Sequence, residues 1–203
     1  MSMGSCFSMN RRIPQQQRGE RRVAELLEAA AIEFAEVGYD SATMKAIAKR
    51  AGASIGAAYQ YFPDKVAMVS ALRTQYVNEM EEQWIRLDEA TAGLSVKERT
   101  QTFVDVMIRF IEQHPAFTAI LDAPAESKRD KKIRDGLRDR LANVFRIRRP
   151  TVSQEQAYRV ACVAVQIIKS MNALYAEARP QERPAIVKEY KIVLTAYLEK
   201  RFT

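Results

Sequence analysis

The chain has 203 residues, of which 47% are hydrophobic and 28% charged, and its formal net charge is +7. This composition predicts a soluble globular protein of one or two domains with a substantial core. The basic excess favours a polyanionic partner, or serves solubility alone if the charge is spread thinly. Cys6 and Cys162 are far apart and differ in setting, which argues against a disulfide framework and fits a reduced cytoplasm.

The amino-terminal stretch is polar, basic and rich in glutamine. It lacks an apolar run of signal-peptide length, and no later segment is long and uncharged enough to span a bilayer. We therefore expect a cytoplasmic protein in which residues 1–19 form a disordered basic arm. The arginines of this region either contact DNA phosphates or belong to a solvated tail: Arg11, Arg12, Arg18, Arg21 and Arg22.

Helical periodicity begins at Glu20 and predicts a first helix that ends at Gly38. Thr43 is placed to cap a second helix, which Gly52 stops, and Ser54 to cap a short third one, which a proline ends. Two short helices joined by a tight glycine-containing turn and braced by a longer helix predict a helix-turn-helix. This motif places its second helix in the major groove of DNA.

The third predicted helix carries no charge, although basic residues flank it. The small residues Gly56 and Ala57 let its amino terminus come close to DNA bases. Tyr59 and Tyr61 face outward and can donate their hydroxyls to phosphates. In the alternative interpretation, the two tyrosines pack their rings against the neighbouring helices.

Residues 20–70 resemble the DNA-binding domain of the TetR family of transcriptional regulators, through AAIEFAEVGYDSATMKAIAKRAGASIGAAYQYFPDKVAMVSAL. The resemblance implies a dimer that binds a palindromic double-stranded DNA operator and releases it when a small molecule occupies the carboxy-terminal domain. By position it implies phosphate contacts through Thr43, Tyr59, Tyr61 and Lys65 and base contacts through Lys45, Ile55, Ala57 and Gln60. Ser54 and Gly56, which belong to the same family pattern, complete the predicted DNA-binding set.

Among the implied base contacts, Ile55 and Ala57 can read only thymine methyl groups or DNA shape, which leaves Lys45 for guanine and Gln60 for adenine. Few direct base contacts are therefore expected.

The rest of the chain also follows helical patterns, so the predicted fold class is all-α. A helix-turn-helix domain over 20–66 is joined by a long fourth helix, from Asp64 to about Ala92, to a helical effector-binding and dimerisation domain over 67–203. Ser95 opens a fifth helix with capping-box spacing. A short helix between two prolines, a basic helix and two long helices complete the domain.

The last two helices predict the oligomer. Small residues permit close helix approach, and the pair can form a four-helix bundle with its two-fold mate. An ordinary intrachain helical hairpin is the alternative. The predicted homodimer interface consists of Ala157, Ala161, Ala164, Ile168, Val193 and Tyr197.

Aromatic and methionine side chains of the carboxy-terminal domain predict an effector pocket for an apolar small molecule, although such a stripe at helical spacing is more often core. The basic segment 128–149 reads as a solvated helix face with acid–base pairs; a second nucleic-acid surface and an acidic effector are the alternatives. The predicted pocket residues are Trp84, Phe103, Met107, Phe110, Phe117, Phe145, Met171 and Tyr175.

Enzyme chemistry has little support in the sequence. His114 is the only histidine, no CxxC spacing occurs, and neither a G-x-S-x-G nor a phosphate-binding glycine motif is present. We therefore do not expect an enzyme, and the resemblance implies a transcriptional repressor, for which we expect no cofactor or metal. The alternative is a helical enzyme or partner-binding protein with an incidental helix-turn-helix.

Overall fold

A computed structural model describes residues 15–124 and 128–202, and all regular secondary structure in these two segments is α-helical. The all-α prediction is therefore confirmed. The first helix begins at Gln15, earlier than predicted, and the remainder of the predicted arm, residues 1–14, lies outside the described residues. The helices are α1 Gln15–Ser41, α2 Met44–Arg50, α3 Ile55–Tyr61, α4 Lys65–Ala90, α5 Val96–Gln113, α6 Phe117–Asp122, α7 Lys128–Arg148, α8 Gln154–Glu177 and α9 Arg183–Phe202.

Side-chain caps start the helices where the sequence predicts them, because a serine, threonine or aspartate oxygen satisfies a backbone N–H that has no partner within the helix. Ser95 and Glu98 form a complete capping box, and the hydrogen bonds from Ser95 lower the pKa of the Glu98 carboxyl. The other caps accept from the N–H three residues on: Thr43 from Ala46 (3.1 Å), Ser54 from Ala57 (3.1 Å), Asp64 from Ala67 (2.7 Å) and Ser153 from Gln156 (3.2 Å).

Two glycines with positive φ shape the amino-terminal helices. Gly38 (φ 76°) interrupts α1 at the position where the sequence predicts its end. Gly52 (φ 60°) turns the chain between α2 and α3, and the following Ala53 N–H donates to the Ala48 carbonyl at 2.9 Å. Other residues rarely adopt this backbone conformation, so both glycines are required by the turns.

One hydrophobic core extends from α1 to α9 through α4. Phe34 of α1, Ile47 of α2 and Met68 of α4 are among its fully buried side chains. α6 packs against α1, α4 and α8, so this short helix touches both the amino-terminal unit and the carboxy-terminal bundle. The division of the chain at residue 66 stays a prediction.

In the segments that the structure describes, none of the helices has a stretch of apolar residues that would let it traverse a lipid bilayer.

Candidate DNA-binding surface and effector cavity

The exposed face of α3 carries apolar side chains and uncharged polar ones. Ile55, Tyr59 and Tyr61 are 43%, 52% and 40% exposed, and Gly56 and Gln60 are exposed as well. Buried Ala58 and Phe62 hold the opposite face against the core. Since about half of each tyrosine remains exposed to solvent, the two rings are not buried against the neighbouring helices.

α2 presents basic side chains beside this face. Lys45 and Lys49 are exposed, while Ile47 is fully buried. Arg50 is held differently, because its guanidinium pairs with Glu33 and Glu36 of α1. Lys45 and Lys49 therefore remain available to a partner, whereas Arg50 braces α2 against α1.

Lys65 does not extend into solvent as the phosphate assignment requires. Its Nζ donates to the carbonyls of Tyr39 (2.7 Å), Asp40 (3.0 Å) and Ala42 (3.2 Å), and lies 4.4 Å from the centre of the Tyr39 ring. An ammonium has three hydrogens, and these three bonds use them all. The structure thus gives Lys65 a different task from the one expected, which is to hold the turn after Gly38 against the start of α4.

A cavity of about 580 Å³ lies between the carboxy-terminal half of α4, the start of α5, the second half of α7 and the end of α9. Three of the predicted pocket residues, Trp84, Phe103 and Phe145, line it, and the ring centres of Trp84 and Phe103 are 6.1 Å apart. Its volume falls in the range of small-molecule sites.

The other predicted pocket residues do not line this cavity, and the structure places them in the packed core. These side chains fill the core instead: Phe110 and Phe117 are in edge contact at 5.2 Å, and Tyr76 of α4 packs on both. They lie on helix faces that pack against the rest of the core cluster. The five are Met107, Phe110, Phe117, Met171 and Tyr175, each no more than 6% exposed.

Charged residues line one side of the cavity. Arg99 of α5 and Arg148 of α7 both donate to Oδ1 of Asp88, at 2.8 and 2.7 Å. Asp88 belongs to α4, and a second ion pair also joins α7 to α4, between Arg140 and Glu81. The predicted acid–base spacing within α7 does occur, between Arg138 and Asp135 at 3.3 Å. Periodicity along α7 cannot reveal the pairs that reach α4, because their partners are about 60 residues away in sequence.

Family models match most of the chain. The model of bacterial regulatory proteins of the tetR family matches residues 26–72, and that of the tetracyclin repressor-like carboxy-terminal domain matches residues 95–198, which is more than half of the chain. The chain belongs to the TetR family of transcriptional regulators. The family consists of DNA-binding regulators and not of enzymes.

Individual relatives agree with this assignment. An uncharacterized HTH-type transcriptional regulator of Mycobacterium tuberculosis is 50% identical over 48 residues, which are 24% of this chain and 25% of that protein. The HTH-type transcriptional repressor KstR of the same organism is 30% identical over 125 residues, 55% of this chain and 53% of that repressor. The chain thus spans only a quarter to a half of these relatives. A TetR-family regulator from Streptomyces coelicolor shares the fold, with a TM-score of 0.68 at 24% identity over 90% of this chain and 99% of that one.

Most of the interface predicted for this TetR-family protein is buried within the single chain, and that part of the prediction is wrong. Ala157 and Ala161 are fully buried and pack with Ala142 and Val152 in a small cluster between α7 and α8. Ala164 (2% exposed) and Ile168 (9% exposed) belong to the main core. The small residues do permit a close helix approach, but the neighbour is α7 of the same chain. The remaining two predicted positions are Val193, which is 50% exposed, and Tyr197, which is half-buried.

Apolar residues outside the predicted interface, together with the predicted Val193, are exposed or half-buried on the last two helices. On α8 they lie along one side at helical spacing, at Val163 (44% exposed), Ile167 and Leu174. On α9, Ile192 and Val193 are exposed. We name this set the α8–α9 face.

Arg73 of this TetR-family protein was not singled out from the sequence, although it links two helices. It is 9% exposed, and its guanidinium donates to the carbonyls of Ile120 (2.8 Å) and Pro124 (3.2 Å), and also to that of Ala123, at the end of α6. A buried charge on α4 that serves the carbonyl end of α6 fixes the two helices to each other. Its only signal in the sequence is an arginine inside the apolar stripe of a helix.

Proposed function

We propose that the protein is a repressor that binds a palindromic DNA operator as a homodimer and releases it when an effector occupies the cavity. The observation that carries this proposal is the exposed, uncharged face of α3 flanked by free lysines of α2. Exposed apolar side chains are not stabilised by contact with water, but such a face fits the floor of a major groove. The phosphates on either side of that groove would meet the basic flank.

Gly56 supports a close approach of DNA to α3. A Cβ atom added there would meet nothing within 4 Å, so packing inside the protein does not require glycine. The absence of a side chain would instead allow DNA to approach the backbone of α3 closely.

We assign the remaining exposed side chains of α2 and α3 to two kinds of contact. Hydroxyls of Thr43, Tyr59 and Tyr61 are placed to donate to phosphates, which positions the protein without reading sequence. Lys45 and Gln60 are candidates for guanine and adenine, and Ile55 and Ala57 for thymine methyl groups. Lys65 is left out of this set because its ammonium is used inside the protein.

We propose that the α8–α9 face forms the subunit interface. Members of the family usually act as dimers, and exposed apolar residues on two adjacent helices suit an isologous four-helix arrangement. A two-fold dimer would present two copies of α3 to successive major grooves, about 34–36 Å apart.

Release would be transmitted along α4. The cavity residues Trp84 and Asp88 lie about 30 Å along the helix from its start at the DNA-binding unit, given 1.5 Å per residue. Arg73 lies between the two ends and fixes α6, which also packs on α1. A displacement of α4 by a few ångströms would spoil simultaneous docking of two recognition helices. The coupling free energy required is about 1–3 kcal/mol.

The test is a mobility-shift titration with DNA from upstream of the protein's own gene and a random duplex, across a salt series. Gln60→Ala should reduce the difference in binding free energy between specific and random DNA by about 1–3 kcal/mol, whereas Tyr59→Phe should weaken binding to both duplexes equally. Gln113→Ala, at an exposed glutamine on α5, is the matched control. Equal affinity of the wild type for both duplexes at every salt concentration would contradict the proposal for this DNA.

A further inference from the structure

The charged side of the cavity carries an excess of positive charge. Arg99 and Arg148 share one oxygen of a single carboxylate, that of Asp88. One negative charge cannot neutralise two guanidinium groups, so a net positive charge remains there. The four arginines in the lining also outnumber its three carboxylates: Arg99, Arg140, Arg148 and Arg149 against Glu81, Asp88 and Glu89.

Two hydrogen-bond donors of the lining are buried without an acceptor among the described residues. They are Nη1 of Arg99 and Nε1 of Trp84. A buried donor without an acceptor costs free energy, and nearly all such groups in folded proteins have a partner. A ligand acceptor that reached either atom would remove this cost for that atom.

Most of the remaining lining is apolar, with Thr91 and Thr100 as exceptions, and the charged groups are exposed to different degrees, with the Arg99 side chain only 18% exposed. The side chains of Asp88 and Arg148 are 43% and 31% exposed, whereas Phe103, Leu141 and Leu198 contribute buried or half-buried apolar surface. A ligand that fills this space would place an apolar body inside and a polar head near the arginines.

We propose that the cavity binds an amphipathic monocarboxylic acid, whose carboxylate meets Arg99 and Arg148 and whose hydrocarbon body lies among the aromatic and aliphatic side chains. This refines the expectation of an apolar effector. Only the ligand's role as effector rests on the proposed function; its binding to the cavity does not.

Decanoate and decan-1-ol are a suitable pair of probes because they share a hydrocarbon chain and differ in the charge of the head. Trp84 is the only tryptophan and lines the cavity, so its fluorescence reports binding without DNA. The wild type should bind decanoate at least about tenfold more tightly than decan-1-ol, as expected for charge-assisted hydrogen bonds.

Variants of the arginine pair and of its carboxylate should change this preference in opposite directions. Arg99→Gln and Arg148→Gln should each reduce the preference for decanoate and leave the affinity for decan-1-ol unchanged. Asp88→Asn should tighten decanoate binding, because it removes the competing carboxylate; a merely structural role of this group would weaken binding in all three variants. Arg86→Gln, on the exposed side of α4 and outside the lining, is the matched control.

Failure of the site and failure of the regulatory role give different results. The proposal would be overturned if the wild type did not bind decanoate, or if it bound decan-1-ol as tightly as decanoate. If Arg99→Gln does not fold, an unchanged preference for decanoate in Arg148→Gln would also overturn it. Decanoate binding with the predicted preference but without any loss of DNA affinity would uphold the site and contradict decanoate-triggered release.

Discussion

Val163→Glu should separate the two subunits of the proposed dimer and leave each one folded. The side chain is 44% exposed in the single subunit and belongs to the α8–α9 face. A glutamate there would remain hydrated in the monomer, where surface substitutions usually change stability by no more than about 0.5 kcal/mol. In the dimer it would have to enter an apolar interface.

The size of the effect follows from the exposed area and the symmetry. Fully burying a valine contributes about 1.5–3 kcal/mol, so covering the exposed part contributes about 1 kcal/mol in each subunit. Glutamate loses this contribution and also costs several kcal/mol through dehydration of its carboxylate. Since an isologous interface contains the residue twice, we expect the dimer dissociation constant to rise by at least about a hundredfold.

Sedimentation velocity over a concentration series measures the dissociation constant, and circular dichroism checks the fold. Ala161→Glu is the informative contrast: its side chain is fully buried against α7, so an unpaired carboxylate there should unfold the subunit. Ala176→Glu, exposed on another side of α8, should change neither property. A Val163→Glu protein that dimerises as tightly as the wild type would refute the assignment of the interface.

Three further substitutions test single contacts. Lys65→Met keeps the aliphatic stem but removes three hydrogen bonds, so it should lower the free energy of unfolding by about 2 kcal/mol in chemical denaturation. Unchanged stability together with weaker DNA binding would instead support a phosphate contact by Lys65. Arg73→Leu leaves carbonyls at the end of α6 without their donor and should cost about 3 kcal/mol by the same measurement, unlike Arg86→Leu on the exposed side of α4. Burial raises the pKa of Tyr76 from 10.0 to about 12, so its contribution to stability is present below pH 10 and is lost as the pH rises towards 12; Tyr76→Phe should make unfolding less pH-dependent in this range, and an unchanged profile would contradict the shift.

Local features were predictable because their causes lie within a few residues. Thr43 and Ser54 cap helices through an N–H three positions away, and Gly52 is needed at a turn whatever surrounds it. The exposed faces of α2 and α3 follow from the spacing of Ile47 and Ala58 for the same reason. Capping chemistry and helical period therefore identify the helix-turn-helix independently of the rest of the fold.

Features that join distant segments were not predictable in this way. The stripe through Ala157 and Ala161 shows that one side of α8 is covered, but periodicity does not say whether α7 or a second subunit covers it. A cavity is space that side chains fail to fill, so Trp84 at its wall and Phe110 in the core look alike in sequence. The carbonyls that hold Lys65 become neighbours only after folding.

The proposed function requires that α2 and α3 of a dimer read a symmetric DNA sequence. Selection of bound duplexes from a random DNA pool by the purified protein tests this requirement even when the operator sequence is not known. We expect enrichment of an inverted repeat whose half-sites are centred about 10 base pairs apart or a multiple of this, and loss of enrichment with Gln60→Ala. A selected pool that binds no better than the starting pool, or enrichment that is identical in the Gln60→Ala variant, would contradict the proposed function.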